Sequence, residues 1–118
     1  MSNTDLPVNR DLFYGGAWHK PSGGYKSTEN PATGEDLGLY ADADATDVNA
    51  AVAAAHAGFE SWRKTTPAER SRALRKAAQI LRDNTETLGF LDAANAGNPV
   101  RDMIADVAWG ADTIDFFA

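Results

Sequence analysis

The sequence contains no cysteine, and this absence removes several kinds of chemistry at once. Disulfide bonds, cysteine-ligated zinc and a thiol nucleophile are all excluded from these 118 residues. Histidine is scarce as well: His19 and His56 stand alone, with no serine or second histidine at a spacing typical of catalysis or metal binding. Isolated histidines of this kind are typical of ordinary packing or of an exposed surface.

Basic charge is also in short supply, since the net charge is −6 at pH 7. Non-specific binding to nucleic acid or to an anionic membrane needs a basic surface, so we expect neither partner. No apolar run approaches the length of a membrane span, and the polar first ten residues lack the apolar core of a signal peptide. These features predict a cytoplasmic protein.

Large apolar residues are sparse, and alanine supplies much of the hydrophobic content. Alanine favours helix but buries little area, so we expect helices that form readily and pack thinly. Gly-x-Gly-x-x-Gly and P-loop motifs are absent. Asp42, Asp44 and Asp47 resemble the start of a calcium loop, but Asp47 occupies the position of the required glycine, and Ala53 that of the bidentate glutamate. We interpret them as acids that precede a helix.

Turn residues punctuate the first third of the chain. Residues 1–11 are predicted to form a flexible lead. Gly15-Gly16 between Leu12-Phe13-Tyr14 and Ala17-Trp18-His19 predicts a tight β-hairpin, because a two-residue hairpin turn demands positive φ angles. Further strands are predicted over residues 25–29 and 37–41, on either side of the turn at residues 30–34.

The apolar period then changes from two to 3.6 and predicts three helices. The first carries apolar residues on one face and is capped by Asp44 or Thr46; this face is Val48, Ala51, Val52, Ala55, Phe59 and Trp62. The second opens with a capping box from Thr66 to Glu69, can be interrupted at Asn84 and ends at Gly97. The third starts near Pro99, and its apolar pattern is still running at Ala118, so we expect a truncated C-terminal end.

The order of these motifs resembles the N-terminal segment of the NAD(P)+-dependent aldehyde dehydrogenases. The resemblance is collinear from about Leu12 to Ala118 and includes the hairpin at residues 12–18, the turn Asn30-Pro31-Ala32-Thr33-Gly34-Glu35, and the helix opening at residues 67–70. It implies an α/β fold with a Rossmann-like coenzyme domain. Residues 12–118 would then form the N-terminal part of that domain, as a short β-meander followed by three helices.

The resemblance also implies a function for the parent enzyme. Such enzymes oxidise an aldehyde to a carboxylic acid with NAD or NADP through a cysteine thioester, and their catalytic and coenzyme-binding residues lie beyond the segment seen here. We therefore assign no catalytic and no cofactor-binding residue to this chain, which alone is expected to be inactive. Its expected partners are the remainder of the parent enzyme, the aldehyde substrate and further copies in a homo-oligomer.

The same resemblance implies one set of cation-binding residues. Many family members hold a monovalent cation with residues before the Asn-Pro turn and with an acid two positions before a Gly-Lys-Pro loop. The matching positions are Thr28, Glu29 and Asn95, but Asn95 replaces the acid and Asn98 replaces the lysine. Neutral oxygens still coordinate hard cations, with less charge attraction.

A second interpretation stays open at this point. The chain could be a freestanding, non-catalytic α+β interaction module that reuses this segment. The aldehyde, the choice between NAD and NADP, and the number of subunits are not specified by these residues.

Overall fold

The computed structural model describes residues 6–118, which form four short strands followed by four helices. The strands are β1 (Leu12–Tyr14), β2 (Ala17–His19), β3 (Tyr25–Glu29) and β4 (Asp36–Ala41). The helices are α1 (Ala45–Trp62), α2 (Pro67–Asp83), α3 (Thr85–Ala96) and α4 (Val100–Phe117). The elements divide into a hairpin unit, residues 7–29 and 36–65, and a helical unit, residues 6, 30–35 and 66–118.

The strands of the hairpin unit pair as two separate antiparallel hairpins. β1 pairs with β2 so that Phe13 faces Trp18, and β3 pairs with β4 so that Ser27 faces Leu39. The Gly15-Gly16 turn has φ angles of 60° and 80°, as predicted for a two-residue hairpin turn. A third turn at residues 21–24 separates the hairpins, so the predicted meander is resolved into two sheets of two strands each.

The first helix begins at a capping box. Asp44 accepts from the amides of Thr46 and Asp47, and the Asp47 carboxylate in turn accepts from the Asp44 amide. These bonds satisfy amide donors that no helical carbonyl can reach. Of the two predicted caps, Asp44 is therefore the one that the structure uses.

The helical unit contains three helices where the sequence predicted two. The predicted second helix is broken at Asn84, whose φ of −119° and ψ of 17° lie outside the helical region. Its side chain donates to the Ile80 carbonyl, and Thr85 donates to the carbonyls of Leu81 and Arg82. These side-chain bonds compete with the helical ladder at that point, so α2 ends and α3 begins.

Small residues form the interior of the helical unit. The buried apolar side chains are Ala78, Ala93, Ala94, Met103 and Ala111. α3 approaches α4 closely because Gly89 is buried at the crossing: a Cβ there would lie 2.8 Å from the backbone nitrogen and Cα of Ile104. The predicted thin packing is confirmed, since no large side chain among the described residues is fully buried.

Several predicted core residues are exposed. The apolar face of α1 leaves Val48, Val52 and Phe59 more than half exposed. On α4, by contrast, the apolar face is buried or half-buried apart from Phe117, which is 77% exposed; this face is Val100, Met103, Ile104, Val107, Ala111, Ile114 and Phe117. The periodicity therefore identified the packed face of α4 correctly, whereas the predicted face of α1 is largely exposed.

The beginning of the chain is only partly described. Residues 1–5 of the predicted flexible lead lie outside the described residues. Arg10 donates to the carbonyls of Leu37 and Leu39, and Asp11 accepts from the Tyr25 hydroxyl. These bonds hold the end of the predicted lead against β3 and β4 within the hairpin unit.

Candidate functional site

Two of the predicted cation ligands lie at an irregularity in β3. The register of the β3–β4 pair shifts between Thr28 and Glu29, and Gly38 lies opposite Thr28 with a φ of 87°. Thr28 is half-buried and Glu29 is exposed. A bulge of this kind leaves backbone groups outside the regular ladder, where they are free to accept other partners.

The third predicted ligand belongs to the helical unit. Asn95 is exposed near the end of α3, two residues before Gly97. The structure thus places Thr28 and Glu29 in one unit and Asn95 in the other, and the cation site stays a prediction. Within residues 6–118, no group of three or more histidine, aspartate or glutamate side chains is arranged to hold a metal ion.

The most heavily bonded carboxylate of the hairpin unit is Asp47, a residue that the sequence placed only in the first turn of a helix. It is 5% exposed and accepts from the amide and hydroxyl of Ser22, at 2.8 and 3.0 Å, as well as from the Asp44 amide at 3.1 Å. Burial raises the pKa of Asp47, but these bonds and one from the Gly23 amide outweigh burial and lower it overall. Asp47 therefore stays ionised and joins α1 to the turn before β3.

An ion-pair cluster links α2 to α4 in the helical unit. The Arg82 Nη2 atom lies 2.8 Å from an Asp112 oxygen and 2.7 Å from an Asp115 oxygen. The hydrogen bonds to Asp112 and Asp115 raise the pKa of Arg82, so the guanidinium stays charged. All three side chains are partly exposed, so these ion pairs contribute little to the free energy of unfolding. Their role is to fix the position of α2 relative to α4.

The two histidines match their predicted ordinary roles. The ring of His19 stacks on Tyr14 with centroids 3.9 Å apart, and its Nε2 lies 3.2 Å from the Tyr14 carbonyl oxygen. His56 lies exposed on α1 beside Val52 and Phe59.

An open groove of about 610 Å³ runs between the β1–β2 turn and α1. Its lining is made of Tyr14, Gly15, Gly16 and the small residues Ala51, Ala54, Ala55, Ala57 and Gly58. No titratable acid or base of the described residues lines it apart from the Tyr14 phenol.

The polar clusters around Asp47 and Arg82 bond to other groups of the protein. Their role is to position the helices and the turn that carry them.

Comparison with known proteins gives a consistent result. The sequence profile of the aldehyde dehydrogenase family matches residues 18–118. The aldehyde dehydrogenase tropH of Talaromyces stipitatus is 46% identical over 114 residues, which cover 96% of this chain and 22% of that protein. This chain thus spans about a fifth of the length of that relative.

Superposition on solved structures points to the same family. An aldehyde dehydrogenase of Bacillus cereus superposes with a TM-score of 0.88 and 30% identity, over 97% of this chain and 24% of the other. An NAD-dependent aldehyde dehydrogenase of Sinorhizobium meliloti superposes with a TM-score of 0.88 and 25% identity, over 98% of this chain and 24% of the other. Hairpins, capped helices and their order thus agree with known enzymes along almost the whole chain, which belongs to the aldehyde dehydrogenase family.

Proposed function

We propose that this chain acts as the N-terminal part of an NAD(P)+-dependent aldehyde dehydrogenase. The observation that carries the proposal is the match of nearly the entire chain to about a fifth of tropH. The parent would oxidise an aldehyde to a carboxylic acid through a cysteine thioester. Because the 118 residues contain no cysteine, the nucleophile must be supplied from elsewhere.

The coenzyme does not fit the described residues. They include no glycine-rich phosphate-binding fingerprint and no parallel sheet, the two features that hold a dinucleotide in Rossmann-like folds. The NAD dependence stated for the Sinorhizobium meliloti enzyme supports a nicotinamide coenzyme for the parent. We assign no step of hydride transfer to residues of this chain.

The role proposed for this segment is structural. The exposed apolar face of α1 and the exposed aromatic residues Trp109, Phe116 and Phe117 of α4 give it two surfaces against which the remainder of the enzyme would pack. A homo-oligomeric parent and a cytoplasmic location belong to the same proposal. No helix within residues 6–118 has the length and apolar character needed to cross a membrane.

The isolated chain is expected to oxidise no aldehyde. The purified 118-residue chain is incubated with a panel of aliphatic and aromatic aldehydes and with NAD+ or NADP+, and reduced nicotinamide is followed by its absorbance. A full-length member of the family serves as the positive control. Turnover that co-purifies with the chain would contradict the assignment of the nucleophile to residues outside it.

The proposed cation site gives a second expectation, for the enzyme of full family length that carries this segment. Asn95→Ala should alter the dependence of thermal stability on potassium while leaving hydride transfer nearly unchanged, because no reacting group is involved. Asn95→Asp is the matched variant: a carboxylate attracts a hard cation more strongly, so its ion response should increase. Thermal midpoints are compared in sodium, potassium and a large organic cation. Equal ion responses in all three proteins would remove the site.

A further inference from the structure

A loop from one hairpin is part of the helical unit. Residues 30–35 connect β3 to β4, yet they group with α2, α3 and α4, whereas the strands themselves belong to the hairpin unit. Within the helical unit, Pro31 of this loop lies against Gly97, at the junction of α3 and α4.

The shape of the loop is set by its own hydrogen bonds. The Asn30 amide donates to the Glu35 carbonyl at 2.8 Å, and the Gly34 amide donates to the Asn30 carbonyl at 2.8 Å. The buried Asn30 side chain accepts from the Ala32 amide at 2.9 Å. These bonds fix the turn, and the Pro31 ring that it presents to Gly97 has little freedom to move.

Gly97 meets two separate demands. Its φ of 76° ends α3 in the left-handed conformation, with its amide donating to the Ala93 carbonyl at 2.9 Å. In addition, a Cβ at this position would lie 2.8 Å from Pro31 Cγ and 3.6 Å from Pro31 Cβ. A pyrrolidine ring cannot rotate away as a flexible side chain does, so a side chain at position 97 would displace the loop itself.

We propose that the junction between α3 and α4 is a binding seat for the loop of residues 30–35, with Gly97 as its floor and Pro31 as the group that occupies it. Helix capping alone does not require a bare Cα, since asparagine also adopts the left-handed conformation. The contact with Pro31 does require it. Gly97 is thus a positioning residue for the loop as well as the end of α3.

Gly97→Asn tests the seat, because asparagine keeps the cap but adds a Cβ. The variant should lower the thermal midpoint by roughly 3–8 °C, the shift expected at the lower end of the overpacking range, because Gly97 and Pro31 are both exposed. Pro31→Ala removes the nearest atom, Cγ, so the double variant should be more stable than Gly97→Asn alone. Unfolding is followed by circular dichroism in the 118-residue chain.

Gly24→Asn is the matched control. Gly24 also has a positive φ, 81°, but a Cβ there would meet nothing within 4 Å. Its effect should add to that of Pro31→Ala without coupling. Additive effects of Gly97→Asn and Pro31→Ala would overturn the proposal. If Gly97→Asn does not fold, recovery of a cooperative melt in the double variant supports the seat, and failure to recover contradicts it.

Discussion

Gly89→Ala should abolish the close crossing of α3 and α4 and strongly destabilise the helical unit. The added methyl would lie 2.6 Å from Ile104 Cγ1 and 2.8 Å from the backbone nitrogen and Cα of the same residue. Backbone atoms cannot move aside by a rotamer change, so α4 as a whole must shift. Overpacking of a well-packed core costs about 1–3 kcal/mol, and we expect the upper part of that range or more.

Gly110→Ala provides the comparison within the same pair of helices. A Cβ at Gly110 would meet nothing within 4 Å, so the substitution should be neutral or stabilise α4 by up to about 1 kcal/mol, the difference in helix propensity. Both variants are unfolded in urea and followed by helical circular dichroism. Equal midpoints for the two variants would show that α3 and α4 do not approach each other at Gly89.

Asp47→Asn should lower the stability of the hairpin unit at neutral pH and remove part of its acid sensitivity. The native carboxylate accepts bonds from the Ser22 amide and hydroxyl and from the Asp44 amide, whereas the amide group of asparagine has one acceptor oxygen. The pKa of Asp47 is lowered in the folded chain. Its contribution to stability is therefore present above the unfolded pKa and is lost as pH falls through the folded pKa.

The measurement is the thermal midpoint of wild type and Asp47→Asn from neutral pH down to strong acid. The two midpoints should approach each other as the pH falls below the ordinary aspartate pKa of 3.8, and they should meet once the pH is below the lowered pKa of the folded chain, where the wild-type carboxyl is neutral. Asp92→Asn, an exposed position on α3, is the control and should follow the wild type. A difference between wild type and Asp47→Asn that persists unchanged in acid would exclude the carboxylate charge as its source.

Local signals in the sequence predicted much of the fold. The residues of β1, β2 and β3 agree with the structure, because the glycine pairs at residues 15–16 and 23–24 define their ends. The capping box at Thr66 and Glu69 and the left-handed Gly97 were likewise predicted from residue type and spacing. Such features depend on a few neighbouring residues, so the sequence alone determines them.

Features that depend on tertiary contacts were harder to predict from the sequence. The break at Asn84 was only a weak signal, because the apolar stripe continues through Leu88 and Leu91 and asparagine is tolerated within helices. The roles of Asp47 and Arg82 depend on partners 25 to 33 residues away in the chain. Gly89 did carry a signal, since an isolated glycine within a helical pattern often marks a close approach, but the sequence does not say to which helix.

The residues of the proposed cation site also could not be predicted from local sequence signals. Thr28, Glu29 and Asn95 came from the resemblance, and no spacing rule joins residues so far apart. The exposed face of α1 was predicted as core because periodicity identifies an apolar face but not the layer that covers it. The membership in the aldehyde dehydrogenase family was predicted from motifs that occur in order, which is a property of the sequence itself, and it is confirmed by the family profile and by the relatives.

The helical unit is built from separate segments of the chain, and this has a consequence for recombination between related enzymes. A crossover anywhere between residues 36 and 66 would take the loop of residues 30–35 from one parent and α3 and α4 from the other. Such a chimera would keep its junction intact only if the second parent supplies glycine at position 97, whatever the similarity of the two sequences elsewhere. Library designs that exchange the ends of these enzymes should therefore treat Pro31 and Gly97 as a single inherited block.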